Sequence, residues 1–459
     1  MKHTLPLVER HTSIRETIQR IERSPFTTAF VVSEQGIYLG GVSISDLRRL
    51  LVSGAKAEDE IGAYPVKYTF RLTEKALRSR PEIEALLADL QLHDVTYVPV
   101  LSSIGEVQDI LSAADLQGNA AAGVAAKVPP DTSRRVLVVG GAGYLGSVLV
   151  RKLLKRGYRV RVLDSFIYGR KSLDEVIADE RVEVIEGDMR NIHVCVSSLE
   201  GVDAVVLLAA IVGDPASKAR PTETLETNVL ATQALASAAK LQHISRFLYA
   251  STCSVYGVGG DVLDENSKLN PVSLYARSKI ASEEIIRKMG DDYFAPTILR
   301  MGTLYGFSPR MRFDLVVNTM SMKSFLEGKI QVFGGSQWRP LLGVEDAADV
   351  YVRCLEADLK QVGNQVFNVG SDAQNFQIDE VADRIARSLG GIPIQRDSVS
   401  LDARDYRVSF AKITDTVGFA PTQSVEDSAR TIVGALHSSI IKDPRHRIYY
   451  NHYFDATEE

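Results

Sequence analysis

The sequence predicts a doubly wound α/β fold from about Arg134 to the C-terminus, preceded by a smaller α+β unit. Three observations predict it. Short β-branched strands alternate with helical patterns after Arg134, a glycine-rich loop joins the first of these strands to a helix, and the first 116 residues run through one pattern of elements twice. The expected organisation is therefore residues 1–116, a linker over 117–133, and a main domain over 134–459.

A chain of 459 residues is long enough for two or three domains. Its 45% hydrophobic and 24% charged residues suit a soluble protein able to bury a sizeable core. A formal net charge of -5 gives no support to nucleic-acid or membrane-surface binding. Three widely spaced cysteines, Cys195, Cys253 and Cys354, fit a reducing cytoplasm better than a disulfide framework or a zinc site. No apolar core of a signal peptide follows Met1, and the apolar run from Ala204 to Gly213 is about half a membrane span. A cytoplasmic protein with no bound metal is expected.

In the first unit, a helix candidate from Ser13 to Arg23 leads to the strand TAFVVSE and then to LGGVSISDLRRLL. A second helix candidate, Pro81 to Leu92, leads to VTYVPVLS and then to VQDILSAADL. Each half ends with Ser-x-x-Asp opening a helix: Ser43 with Asp46, and Ser112 with Asp115. Locally this is the arrangement of a capping box. The two copies together resemble a tandem CBS domain pair, an adenine-nucleotide-sensing module. The resemblance implies that Ser43, Asp46, Ser112 and Asp115 contact a regulatory nucleotide. The first copy carries Gly40-Gly41-Val42-Ser43-Ile44-Ser45-Asp46, whereas Asp109 stands at the second copy's glycine position. The stretch from Gln117 to Ser133 is small, Gly/Ala-rich and interrupted by Pro-Pro, as expected of a linker.

In the main domain the strand candidates are RVLVVGG, YRVRVLD, VEVIEGD, AVVLLAA, RFLYAS and TILRMG. Most are continuously apolar, as strands of a parallel sheet covered on both faces must be. After the first comes Gly140-Gly141-Ala142-Gly143-Tyr144-Leu145-Gly146, opening a helix. Glycines at 140, 143 and 146 permit a tight turn and close approach of a pyrophosphate to the helix N-terminus. A plain tight turn would also use them. Asp164 ends the second strand, where a carboxylate binds ribose hydroxyls and repels a 2′-phosphate, favouring NAD over NADP. Asp188 and Met189, after the third strand, lie where the adenine edge is expected.

Thr252 ends the fifth strand, and Tyr275 and Lys279 lie four residues apart, on one helix face. A cationic Lys279, together with the positive nicotinamide ring, is expected to lower the pKa of Tyr275 by favouring its phenolate, which can take a proton from a substrate hydroxyl while hydride leaves for the cofactor. Thr252 can share that proton. A surface Tyr and Lys on an amphipathic helix is the plain alternative.

With GGAGYLG, LLAA, STCSVYG, NPVSLYARSK, ILRMGTLYG and QWRPLLGVEDAADV in this order, the chain from Arg134 to about His437 resembles the extended short-chain dehydrogenases/reductases of the NAD-dependent nucleotide-sugar epimerase/dehydratase family. The resemblance implies a Rossmann-type sheet with a small C-terminal substrate lid, NAD as cofactor, and a homodimer. It implies oxidation of a nucleotide sugar at C4. It also implies that Gly140, Gly143, Tyr144, Leu145, Gly146, Asp164, Asp188, Met189, Ala209 and Lys279 bind the cofactor. Thr252, Tyr275 and Lys279 are the expected catalytic residues, and Thr303, Val332, Arg339 and Arg407 the expected substrate contacts. Surface salt bridges are the alternative for the two arginines, and a solvated loop for Arg310 to Arg312. Dehydratases of the family follow the threonine with Asp–Glu; here Cys253 and Ser254 stand there. A thiol and a serine are poor replacements, so a 4-epimerase is expected before a 4-ketoreductase, a 4,6-dehydratase or a non-catalytic nucleotide sensor.

Overall fold

A computed structural model describes residues 6–24, 26, 28–34, 36–64, 72–73, 97–101, 107–112, 134–397 and 404–451. The helix candidate over 81–92, the linker over 117–133 and Asp115 lie outside the described residues, as does the side chain of Ser112. The chain divides into two compact units, Met1–Lys127 and Val128–Glu459. Among the described residues no helix is long and apolar enough to cross a membrane.

The first unit contains one small sheet twice. Strands β1 (Leu7–Glu9), β2 (Thr28–Val32) and β3 (Tyr38–Ser43) pair parallel and then antiparallel. Strands β4 (Leu72–Thr73), β5 (Tyr97–Leu101) and β6 (Val107–Ser112) pair the same way. The registers match to the residue. Thr28 pairs with Ser43 and Tyr97 with Ser112, and each hairpin carries an irregularity at the same step, Val31/Val32 and Val100/Leu101. Phe30 and Tyr38 from one repeat pack with Leu101 and Ile110 from the other, a shared core neither three-stranded sheet could bury alone. In the first repeat the helix Ile14–Glu22 starts at the Ser13 cap and buries Ile14, Thr17 and Ile21, one face of its turn.

The second unit is built on a seven-stranded sheet. Its strands are β7 (Arg135–Val139), β8 (Arg159–Asp164), β9 (Val182–Glu186), β10 (Ala204–Leu207), β11 (Arg246–Thr252), β13 (Ala295–Met301) and β17 (Gln365–Val369). The spatial order is β17-β13-β11-β10-β7-β8-β9, and every neighbouring pair is parallel. Alternate residues of β7 feed separate cores: Val136 and Val138 face one helical layer, Leu137 and Val139 the other. That two-sided burial explains the continuously apolar strands. The strand over 365–369 was not among the sequence candidates.

The lid elements interleave with the late strands. They are β12 (Val258–Leu263), β14 (Thr303–Tyr305), β15 (Ile330–Phe333), β16 (Trp338–Gly343), β18 (Asn375–Gln377), β19 (Ile394–Asp397) and β20 (Asp405–Val408). They form three small sheets, β12-β20, β14-β16-β18 and β15-β19. A third core gathers Ile330, Val332, Leu341 and Phe376 with the helices Val316–Glu327 and Ile378–Ser388.

Candidate active site

Open α/β sheets bind ligands beyond the C-terminal ends of their strands, where the strand order reverses. Here the reversal falls between β7 and β10, and a cavity of about 330 Å³ opens there. Around it the fold brings together Gly140, Gly143, Tyr144, Leu145, Gly146, Asp164, Asp188, Met189, Ala209, Thr252, Tyr275, Lys279 and Thr303.

The glycine loop is shaped by close packing. Gly140 has φ +87°, and a Cβ there would lie 2.7 Å from the Ala209 nitrogen. A Cβ on Gly146 would lie 2.1 Å from the Gly140 carbonyl oxygen, so only glycine lets the helix Tyr144–Lys155 start this close to β7. No side chain caps that helix, which leaves its first N–H groups for a ligand such as a phosphate. Asp164 accepts from the Ala142 N–H at 2.9 Å and the Phe166 N–H at 2.8 Å, tying β8 to the loop. Burial raises its pKa despite both bonds. Asp188 is held by Arg190 through Nη2 at 2.6 Å and Nε at 2.9 Å. Burial opposes ionisation there, but the Arg190 bonds outweigh it and lower the pKa. Tyr144 lines the cavity, and its hydroxyl is taken up by the Gly306 carbonyl, to which it donates at 2.7 Å.

Thr252 ends β11, and its hydroxyl accepts from the Ser254 N–H at 3.1 Å. Tyr275 opens the helix Leu274–Met289, capped by Ser273. Burial pushes its pKa up to about 12 and Asp214 adds to the rise, while Arg312, the Thr252 hydroxyl and Arg404 pull the other way. Lys279 is buried too, which drives its pKa down to about 7, with Glu283 opposing. Its ammonium nitrogen sits 4.2 Å over the Tyr249 ring. Helical spacing puts Tyr275 and Lys279 on one face, but the ammonium lies over Tyr249, and the cations acting on Tyr275 are Arg312 and Arg404.

Cys253 faces away from the cavity. Its thiol donates to the Arg300 carbonyl at 3.2 Å, and burial raises its pKa far above the thiol range. It is an inert core residue. Ser254 lines the cavity and accepts from Arg404 Nη1 at 3.3 Å.

Arg339, Arg407 and Val332 do not reach these walls. Arg339 is buried and donates through Nη1 to the Trp338 and Arg404 carbonyls at 2.6 and 2.5 Å, so it fixes the chain that carries Arg404. Arg407 stacks over Trp338 and donates to the Gly260 carbonyl at 3.3 Å. Val332 is a core residue of β15. In the other unit, Ser43 and Asp46 close a capping box on each other: the Ser43 hydroxyl donates to Asp46 at 2.6 Å and accepts from its N–H at 3.2 Å.

Several site residues carried no sequence signal. Asn228 lies in a π-helical turn, Glu226–Ala231, and brackets Ile211, accepting from its N–H at 2.8 Å and donating to its carbonyl at 3.0 Å. It also donates to Ser278 at 3.0 Å, which in turn donates to the Tyr275 carbonyl at 2.8 Å. Behind the threonine, Ser251 donates to Glu283, which forms a buried pair with Arg300 at 2.7 Å. Asn451, from the C-terminal segment, also lines the cavity.

This geometry fits a dinucleotide: an uncapped helix N-terminus behind a glycine turn, with carboxylates after the two next strands. Comparison with known proteins agrees. Residues 136–370 match the model of the NAD dependent epimerase/dehydratase family, and residues 1–53 match that of the CBS domain. The chain is 28% identical to a UDP-glucose 4-epimerase of Lactobacillus helveticus over 55% of its length and 81% of that protein. Among solved structures, it resembles the dTDP-glucose 4,6-dehydratase DesIV of Streptomyces venezuelae, with 28% identity, TM-score 0.59, and coverage of 66% of this chain and 97% of that one. A UDP-glucuronic acid 4-epimerase of Bacillus cereus, solved with UDP-glucuronic acid and NAD, matches at 25% identity and TM-score 0.58, covering 66% of this chain and 99% of that one. The chain therefore belongs to the NAD-dependent epimerase/dehydratase family, with a CBS domain at its N-terminus.

Proposed function

We propose that this enzyme is a nucleotide-sugar 4-epimerase that retains and recycles its NAD. The observation that carries the reading is that Thr252, Tyr275 and Lys279 share the wall of the glycine-loop cavity, with Cys253 and Ser254 where a dehydratase would need an acid and a base. Gly140, Gly143 and Gly146, with the main chain of Tyr144 and Leu145, would hold the pyrophosphate, Asp164 the adenosine ribose, and Asp188 and Met189 the adenine. Ala209 and Lys279 would border the nicotinamide. Bound NAD supplies a hydride acceptor that can return the hydride to the same carbon.

The chain's own groups handle the proton. Tyr275, as phenolate, takes the C4 hydroxyl proton as the carbon is oxidised, and gives it back after the ketone has turned over. Thr252, on the same cavity wall, would share that proton through its hydroxyl. Arg312 and Arg404 oppose the burial that disfavours the phenolate without overcoming it, and the positive nicotinamide ring would add to their pull. Thr303 borders the sugar, and Arg339 supports the substrate wall through Arg404. Arg407 and Val332 contribute only if the lid brings them to the nucleotide. A homodimer is proposed through the Tyr275 helix and its neighbours, where Leu225, Leu230 and Leu241 are exposed.

The test mixes purified protein with UDP-, GDP-, dTDP- and CDP-sugars and follows the products by NMR without added cofactor. Conversion of one sugar to its C4 epimer is expected. Reduction of a 4-keto sugar on addition of NADH or NADPH, with no epimerisation, would move the assignment to a ketoreductase; a 4-keto-6-deoxy product would make it a dehydratase.

The duplicated strand register of the N-terminal unit supports a second proposal, adenine-nucleotide regulation through Ser43, Asp46, Ser112 and Asp115. Calorimetry with ATP, ADP and AMP tests it. Binding is expected in the parent and weakened by Asp46→Ala, and absence of heat with all three nucleotides would end the proposal.

A further inference from the structure

Arg310 is a buried guanidinium that forms no ion pair with a carboxylate among the described residues. It lines the cavity and is 5% exposed, its Cζ 3.7 Å above the Tyr168 ring. The nearby acids are committed elsewhere. Asp314 takes Arg312, with Nη2 at 2.7 Å and Nε at 3.0 Å, and Asp164 takes two backbone N–H groups. Arg310 Nε has no hydrogen-bond partner among the described residues. Burial and the neighbouring Arg312 pull its pKa down to about 10, opposed by Tyr168, Asp314 and Asp164. A buried cation in this setting is costly unless something supplies the missing negative charge.

What holds Arg310 comes from the far end of the chain. Asn451 Oδ1 accepts from Arg310 Nη2 at 2.8 Å. The segment carrying Asn451 is anchored on either side of the cavity rim. The Phe313 N–H donates to the Tyr449 carbonyl at 2.9 Å, and the two rings meet edge to face at 5.6 Å. Asn451 Nδ2 reaches the Val212 carbonyl at 3.5 Å, and Arg220 the Asn451 carbonyl at 3.5 Å. Asn451 is the kind of residue that can do this without filling the charge: a neutral amide orients a guanidinium and leaves its charge for a ligand.

We propose that Asn451 is a positioning residue of the ligand site, holding Arg310 at the cavity wall so that its guanidinium takes a phosphate or carboxylate oxygen of the bound ligand. The anion has two possible sources, the pyrophosphate of the dinucleotide or the anionic groups of the nucleotide sugar. The proposal rests on the cavity being the nucleotide site, but not on the reaction being epimerisation.

The test uses the full chain with Asn451→Asp and Asn451→Ala. Aspartate keeps the acceptor for Arg310 and adds the missing charge in cis, while giving up the long 3.5 Å contact with the Val212 carbonyl. It is expected to leave the protein folded and at least as heat-stable as the parent, yet to weaken ligand binding about tenfold, because the charged pair competes with the anion. Alanine is expected to weaken binding about threefold by releasing the guanidinium. Two readouts separate the sources: NAD retained per protein after denaturation, and calorimetric affinity for UDP, GDP, dTDP and CDP. A loss confined to retained NAD assigns the anion to the cofactor, and a loss confined to a nucleoside diphosphate assigns it to the substrate. A purely structural asparagine would tolerate aspartate in both readouts. If both variants retain NAD and bind the diphosphates as the parent does, the proposal is overturned, whatever reaction the parent catalyses.

Discussion

Replacing Tyr275 by phenylalanine is expected to lower turnover by about a thousandfold, within the range typical of a lost general base. The change removes one oxygen. That oxygen is the one on which the charges of Arg312 and Arg404 act, and no neighbour carries a comparable group to take over the proton. Serine and threonine hydroxyls are poor bases, and Lys279 is turned onto the Tyr249 ring. The ring of residue 275 stays in its buried position, so retained NAD should match the parent. Measurement pairs turnover on the converted sugar with NAD content of the denatured protein. A variant within tenfold of the parent would remove Tyr275 from the reaction, and with it the proposed mechanism.

The largest stability effect is expected at Arg300. Its side chain and that of Glu283 are 4% and 3% exposed, and three guanidinium contacts of 2.7 to 3.1 Å reach the carboxylate. The remaining nitrogen donates to Tyr256 at 3.0 Å. Burial disfavours the Arg300 charge, but Glu283 more than offsets it and raises the pKa. Arg300→Met leaves a buried carboxylate hydrogen-bonded, among the described residues, to Ser251 alone, at a cost of about 3–5 kcal/mol. Arg300→Met with Glu283→Leu should recover most of that loss, because the cost is the stranded charge rather than the missing contact. Equilibrium unfolding in urea measures both. A single variant within about 1 kcal/mol of the parent would show that water or a rearranged neighbour neutralises Glu283.

The two cases differ in how far the sequence announced them. Thr252, Tyr275 and Lys279 were legible because a strand end and a four-residue helical step are local signals, and the glycine loop fixes where the strand end must point. The six parallel strands were legible for the same reason: burial on both faces writes itself as a continuous apolar run. The seventh strand, Gln365–Val369, carries Gln and Asn within its five residues and follows the whole of the lid, so nothing local marked it. The small lid sheets pair segments distant in sequence, such as Val262 with Arg407, and three to six residues are too few to show a period. Spacing placed Lys279 on the right helix face but could not say that its ammonium would settle on Tyr249. Arg339 and Arg407 were marked by position alone, and the fold uses both on backbone carbonyls of the lid. Asn228 and Asn451 had no signal, because one depends on an irregular turn and the other on where the chain's end docks.

The π-helical turn at Glu226–Ala231 also bears on how this chain can vary in length. Each residue of a regular helix advances the side-chain direction by about 100°. Deleting one residue here would let the turn relax into an ordinary α-helix and swing residue 228 off the Ile211 backbone. Ser278 and Ser282, which meet Asn228 at 3.0 and 2.6 Å, would lose their partner together. Insertions and deletions elsewhere on this helix would be absorbed at its ends. Within these six residues they would uncouple the loop after β10 from the first turn of the Tyr275 helix, making the length of this stretch a more demanding constraint on the site than most of its side chains.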